Sequence, residues 1–159
     1  MWAAGVDASG SADAVPPTLP VTWRPRLGRI VPQVLIGPVV AISVFLAIVV
    51  PPQYKLVDRV AFVLFGLGLG ACLYFLARPK VRARADGITV VNIVRGRTLA
   101  WSEVLDVTMP RGEPWPTLDL ADGSTVAAMG IQTNDGRHAQ TALAELQALV
   151  HQRGEATEP

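Results

Sequence analysis

Two long apolar stretches, followed by a change of rhythm, organise this chain. From Ile30 to Tyr54 there are 25 residues without a charge, and the apolar part, IVPQVLIGPVVAISVFLAIVV (30–50), is 21 residues long. As a helix, that length crosses a hydrocarbon core of about 30 Å. Pro32 falls in the first turn, where proline is tolerated. Pro38 lies inside and predicts a kink, which membrane helices permit more readily than soluble ones. A second uncharged run, 60–77, has 18 residues and suffices for a second crossing. The link between them, PPQYKLVDR (51–59), is short and polar. The pattern predicts a transmembrane hairpin over 30–77. The competing arrangement, two buried core helices of a soluble protein, fits the charge-free length and the basic flanks less well.

After Arg78 the apolar positions alternate. Val81, Ala83 and Ala85 are interleaved with Lys80, Arg82 and Arg84, which places the two sets on opposite faces of a strand. Asp86-Gly87 reads as a turn, and Ile88, Val90 and Ile93 as the returning strand. Arg95-Gly96-Arg97 reads as the next turn, leading into Thr98–Trp101. Ser102 and Glu103 turn the chain before Val104, Leu105 and Val107. PRGEPWP (110–116) is a loop, and 117–131 a further hairpin turning at Asp122-Gly123. About six short strands joined by tight turns predict an antiparallel meander curved into a partial barrel. Trp101 is expected to anchor its core.

The period then lengthens. Ala139, Ala142, Leu143, Leu146, Leu149 and Val150 recur at three- and four-residue steps and mark one face of an amphipathic helix. Asn134 or Asp135 is the expected N-cap and Gly154 the expected stop. Residues 1–22 are rich in Ala, Gly, Ser, Asp and Pro without an apolar period, so a disordered tail is expected. The division that follows is a tail (1–29), the hairpin (spans 30–50 and 60–77), an α+β domain (78–153) and a short tail (154–159).

Charge sharpens this picture. Hydrophobic residues make up 50% of the chain and charged ones 17%, below the usual quarter for soluble domains. The net charge of +1 hides a split. Residues 1–85 hold nine Lys/Arg against three acids, and residues 86–159 hold five Arg against ten acids. Arg24, Arg26 and Arg29 precede the first span, and Arg78, Lys80, Arg82 and Arg84 follow the second. The loop between holds Lys55 and Arg59, with Asp58 between them. Counting Lys and Arg places both termini in the cytoplasm of a multi-pass inner-membrane protein. Trp23, Tyr54 and Tyr74 fall near the expected interfaces, where amphipathic rings are comfortable. Gly66 and Gly70 form a G-x-x-x-G step that permits close helix approach, within the hairpin or to a second copy.

The run RARADGITVVNIVRGRTLAWSEVLDV (82–107) resembles the bacterial pleckstrin-homology-like (PH-like) domains of small actinobacterial membrane proteins. It is most similar to the low molecular weight protein antigen 6 type. The matching features are Asp86-Gly87-Ile88, the Arg in the next turn, Trp101 with Glu103-Val104 after it, and LDLADGSTV (118–126). The resemblance covers about half the chain. It implies a PH-like fold on a membrane tether and brings no catalytic residues with it.

No catalytic constellation stands out. His138 and His151 lie thirteen positions apart and share no metal-ligand spacing. Ser102 has no G-x-S-x-G around it. Asp119, Asp122 and Asp135 fit no calcium loop, and Asp86 and Asp122 each precede a turn glycine. One cysteine, Cys72, allows neither an internal disulfide nor a thiolate metal site. No cofactor and no enzymatic activity are expected. The basic run ends at Arg84 before an acidic half, which argues against nucleic acid and weakens a phosphoinositide role. It suits a juxtamembrane stop. The expected function is a cytoplasmic-face scaffold that recruits a protein or peptide partner beside the lipid bilayer. Arg95, Arg97, Arg111 and Trp115, all expected in loops, are the candidate contacts. The alternative is an accessory subunit of a transport or envelope-assembly complex acting through its hairpin.

Overall fold

A computed structural model describes residues 15–110 and 112–155. They form, in order, β1 (Val21–Trp23), α1 (Leu27–Val49), α2 (Leu56–Leu76), β2 (Lys80–Arg84), β3 (Gly87–Val91), β4 (Gly96–Leu99), β5 (Val104–Thr108), β6 (Thr117–Leu120), β7 (Thr125–Ala127) and α3 (Arg137–Glu155). The chain divides into a helical unit, 26–78, and a sheet unit built from residues on both sides of it.

The helical unit is the expected hairpin with shifted ends. The first helix begins at Leu27 rather than Ile30, because its opening turn does not need apolar residues. Its first bonds run from the Arg29 and Ile30 amides to the Arg26 carbonyl. Pro32 therefore lies one turn deeper than the first-turn position expected, and both Pro32 and Pro38 are inside α1. The second helix begins at Leu56 rather than Val60. Asp58 accepts a 2.8 Å hydrogen bond from the Lys55 amide and caps it. Arg59, expected in the loop, donates to the carbonyls of Ala47, Ile48 and Val50 at 3.3, 3.5 and 3.0 Å, satisfying the orphan acceptors at the end of α1.

Gly66 is what lets the two helices meet. A methyl group there would overlap the Ser43 side chain, whose hydroxyl donates to the Val39 carbonyl at 2.9 Å. At Gly70 the same construction meets Val40 and Ile36 at 3.4 and 3.8 Å. Gly66→Leu is expected to destabilise the hairpin in detergent by about 1–3 kcal/mol through overpacking. Gly68→Leu, at a position with nothing within 4 Å, serves as the control. Equal unfolding midpoints for the two variants would contradict this.

Only 17% and 11% of the most apolar windows of α1 and α2 are buried. Both helices leave most of their apolar surface uncovered by the described residues. They are long and apolar enough to cross a membrane.

The sheet unit has two antiparallel sheets, ordered β1-β2-β3-β4 and β5-β6-β7. Its core joins Val81, Ala83, Ile88, Val90 and Leu99 of the first sheet to Val104, Val107, Leu118 and Leu120 of the second. The helix α3 covers them with Ala139, Ala142, Leu143, Leu146, Leu149 and Val150, the face marked by the sequence period. Trp101 is buried and donates from Nε1 to the Arg84 carbonyl at 2.9 Å. Gln147 of α3 reaches the Val107 carbonyl at 2.9 Å.

The first strand overturns an expectation. The tail expected over 1–29 ends earlier, because Val21, Thr22 and Trp23 pair with Ala83, Arg82 and Val81. Residues 1–14 of that tail lie outside the described residues. Trp23, expected at a membrane interface, is buried in the sheet-unit core, and its Nε1 donates to Glu145 Oε2 at 2.8 Å. Two adjacent antiparallel strands are thus connected by the whole helical hairpin.

Smaller differences have local causes. The β2–β3 turn is Ala85-Asp86, not Asp86-Gly87, and Ala85 is exposed rather than inward. Gly87 belongs to the strand, paired with Arg84, and must be glycine because a Cβ there would collide with the Leu99 carbonyl of the neighbouring segment. The β3–β4 turn spans 92–95, so Gly96 and Arg97 lie on β4. A bulge between Val104 and Asp106 leaves Leu105 66% exposed although it sits mid-strand. The final helix continues through Gly154 to Glu155.

Candidate functional site

One side of the sheet unit has a seam where β4 ends the first sheet. Among the described residues, its far edge carries no further strand in either sheet. The Asn92 amide donates to the Arg95 carbonyl at 2.8 Å. Antiparallel pairs alternate between bonded and non-bonded. Val90/Arg97 and Ile88/Leu99 therefore exchange the ladder bonds, and the Thr98 N–H faces the open edge. Gly96, Arg97 and Thr98 are exposed, and Val94 in the adjoining turn is 84% exposed.

Side chains, not ladder bonds, hold the two sheets together at this seam. The Asn92 amide group donates to the Ala127 carbonyl at 2.7 Å and accepts from the Met129 amide at 3.2 Å. Arg97 lies opposite Val90, on the core-facing side, and reaches Ser124 Oγ at 3.4 Å and Asp122 at 3.5 Å. The Ser124 hydroxyl and amide hold the Asp122 carboxyl below its ordinary 3.8, with a smaller contribution from Arg97. The pair is solvent-exposed, so it contributes little stability.

Of the expected contact residues, Arg97 is on a strand and not in a loop, because the turn closes two residues earlier. Arg95 is exposed in the 92–95 turn. Trp115 is half-buried in the loop before β6. The neighbouring Pro116 carbonyl accepts from the Ala128 amide at 2.8 Å, so the loop of Trp115 and the turn of Arg95 dock on the same 127–129 segment. Arg111 lies outside the described residues. Asn92, which orders this region, carried no sequence signal beyond a polar residue at a strand end.

The seven cations expected to flank a membrane separate into two groups. Arg26 and Arg29 open α1, and Arg78 closes α2 with its guanidinium 5.3 Å from the Phe75 ring centroid. Arg24 follows β1, while Lys80, Arg82 and Arg84 occupy β2. Lys80, expected at the membrane boundary, pairs with Val91 as the first residue of that strand.

Of the residues weighed for catalysis, Asp119 and Asp122 are engaged in local hydrogen bonds. Ser102 is exposed in a single 3-10 turn, Trp101–Glu103, whose Glu103 carboxylate accepts from the Ala100 amide at 2.7 Å. Asp119 accepts from the Thr108 hydroxyl at 3.3 Å, and Asp122 from the Ser124 amide at 2.8 Å. Asp135 lies in the 3-10 turn before α3, and His138 and His151 lie on α3. Among the described residues no group of three or more His, Cys, Asp or Glu is placed to hold a metal ion.

Two packed antiparallel sheets closed by one C-terminal helix, following a pair of apolar helices, define a PH-like domain after a helical hairpin. Residues 78–149 match the family model of the bacterial PH domain, a stretch that runs from the end of α2 into α3 and omits β1. The uncharacterized proteins Rv1417 of Mycobacterium tuberculosis and Mb1452 of Mycobacterium bovis are each 34% identical to this chain over 97 residues. The alignment covers 61% of this chain and 63% of theirs, so the chain spans less than two thirds of the length of these curated relatives. No solved structure matches.

Proposed function

We propose that this chain is a membrane-anchored interaction module whose PH-like unit recruits an extended peptide or protein segment on the cytoplasmic face. The observation that carries this reading is the open β4 edge, exposed and bordered by a seam that side chains alone hold. A partner strand pairs there through the Thr98 N–H and its neighbours, with Val94, Arg95 and Trp115 as flanking contacts. The anchor is supported by the exposed apolar surface of α1 and α2. Because β1 and β2 belong to one sheet, residues 21–25 and 79–155 share one side of any bilayer that the hairpin crosses. The excess of Lys and Arg on that side favours the cytoplasm. The likeness to the low molecular weight protein antigen 6 type rests on residues 82–107 and belongs to this reading.

Thr98→Pro removes the outward N–H and leaves the β3–β4 ladder intact. Full-length protein purified in mild detergent is expected to retain its partner, and the Thr98→Pro form to lose at least about tenfold of it, the effect of about 1.4 kcal/mol. An unchanged set of co-purifying proteins would sink the edge proposal. Partners that remain bound to residues 26–78 alone would instead favour the accessory-subunit reading, in which the hairpin makes the contacts.

A further inference from the structure

The charge split along the chain becomes, in three dimensions, a split between the two sheets. Strands β1 to β4 carry Lys80, Arg82, Arg84 and Arg97 and no acid. Strands β5 to β7 carry Asp106 and Asp119 and no Lys or Arg. The register sorts the cations further. Val21, Ala83, Ile88 and Leu99 form one row across the first sheet, and Trp23, Val81, Val90 and Arg97 another, both facing the core. The row between them, Thr22, Arg82, Thr89 and Thr98, therefore faces outward. Lys80 and Arg84, two residues either side of Arg82, share that outward face. The Thr89 and Thr98 hydroxyls lie 3.2 Å apart within it. The result is a face of cations and hydroxyls without a carboxylate on its strands.

We infer that this outer face of the first sheet binds the anionic headgroups of the bilayer that the hairpin spans, an inference that rests on the membrane-anchored reading. The charges are complementary, and the three cations Lys80, Arg82 and Arg84 are spread along one strand face. Three residues separate Leu76 at the end of α2 from Lys80 at the start of β2, a tether of at most about 15 Å. Basic residues held near an anionic leaflet are attracted to it over roughly the Debye length. Nucleic acid fits less well, because the outward positions hold only Thr, Val, Gly, Lys and Arg and no ring on which a base stacks. The sheet face would orient the module on its membrane and leave the acidic sheet turned to the cytosol.

The test uses the full chain with Cys72→Ala and a single reporter thiol from Thr89→Cys, reconstituted in nanodiscs. Its reaction rate with a neutral, water-soluble maleimide is compared in phosphatidylcholine and in phosphatidylcholine mixed with phosphatidylglycerol. The thiol is expected to react at least about threefold more slowly in the anionic discs at low salt, and the difference to vanish when salt shortens the screening length. Arg82→Gln with Arg84→Gln, checked for an unchanged melting temperature, should abolish the difference. A thiol from Thr125→Cys on the other sheet should show none. Equal rates for the Thr89→Cys thiol in both discs, or slowing that survives the Gln pair, would overturn the inference. Slowing by an RNA oligonucleotide in uncharged discs, matching that by lipid, would overturn it in favour of nucleic acid. A chain that fails to enter even uncharged discs would sink the anchored reading along with it, whereas one that enters with equal rates sinks the lipid face alone.

Discussion

A chain that begins at residue 26 is expected to lose the fold of its sheet unit, although it keeps the whole hairpin and everything after it. The reason is β1. Its three residues complete the first sheet by covering the free edge of β2, and Trp23 is only 4% exposed. Removing a buried tryptophan side chain costs about 3–5 kcal/mol, a large share of the roughly 5–15 kcal/mol that holds a domain. The Trp23 Nε1 bond to Glu145 ties β1 to α3, so its loss also loosens the helix that closes the core. The point substitution Trp23→Ala should reproduce most of the effect, and Trp23→Phe only part, since phenylalanine refills the space without the hydrogen bond. Amide hydrogen exchange in detergent reads this directly. Protection in β2, β3 and α3 should collapse in the truncated chain while α1 and α2 stay protected. Full protection of β2 in a chain lacking residues 1–25 would show that the first strand is dispensable.

Gly130→Val is expected to be comparably damaging, for a different reason. A Cβ at this position would stand 2.5 Å from the Lys80 carbonyl carbon and the Val81 amide nitrogen. Both are backbone atoms of β2 and cannot swing aside as a flexible side chain does. The segment after β7 would have to lift away from the first sheet, disturbing the Asn92 bond to the Met129 amide and the burial of Ile131. A loss of about 3 kcal/mol or more is expected, at the upper end of overpacking effects. Gly123→Ala, in a turn with open space around it, tests the opposite case. Its strain comes from a φ of 77° alone and should cost about 1–2 kcal/mol. Thermal melts that rank Gly123→Ala as the worse of the two would contradict the close approach.

The elements legible in the chain were those whose signal repeats. Two runs without charge announced α1 and α2, and six apolar positions at helical spacing announced the buried face of α3. Alternation in KVRAR announced β2 with Val81 and Ala83 inward. What escaped was short or set by a distant partner. Val21–Trp23 has no period of its own among its flanking prolines, and only pairing with residues some sixty positions later makes it a strand. The turns moved by one or two residues because Gly87 is demanded by a neighbouring carbonyl, not by turn geometry. Arg97 looked like a loop cation because its role depends on Asp122 and Ser124, which sequence distance hides.

The sequence by itself determined the hairpin, the strands and helix that follow it, and a basic half followed by an acidic one, because these are properties of residues close together along the chain. Only the tertiary structure decided that the N-terminal strand belongs to the same sheet as the strand after the hairpin, and that opposite charges occupy opposite sheets. Both follow from non-local backbone pairing. Register decides which side chains share a face, and no local pattern encodes the register between strands that a whole helical hairpin separates.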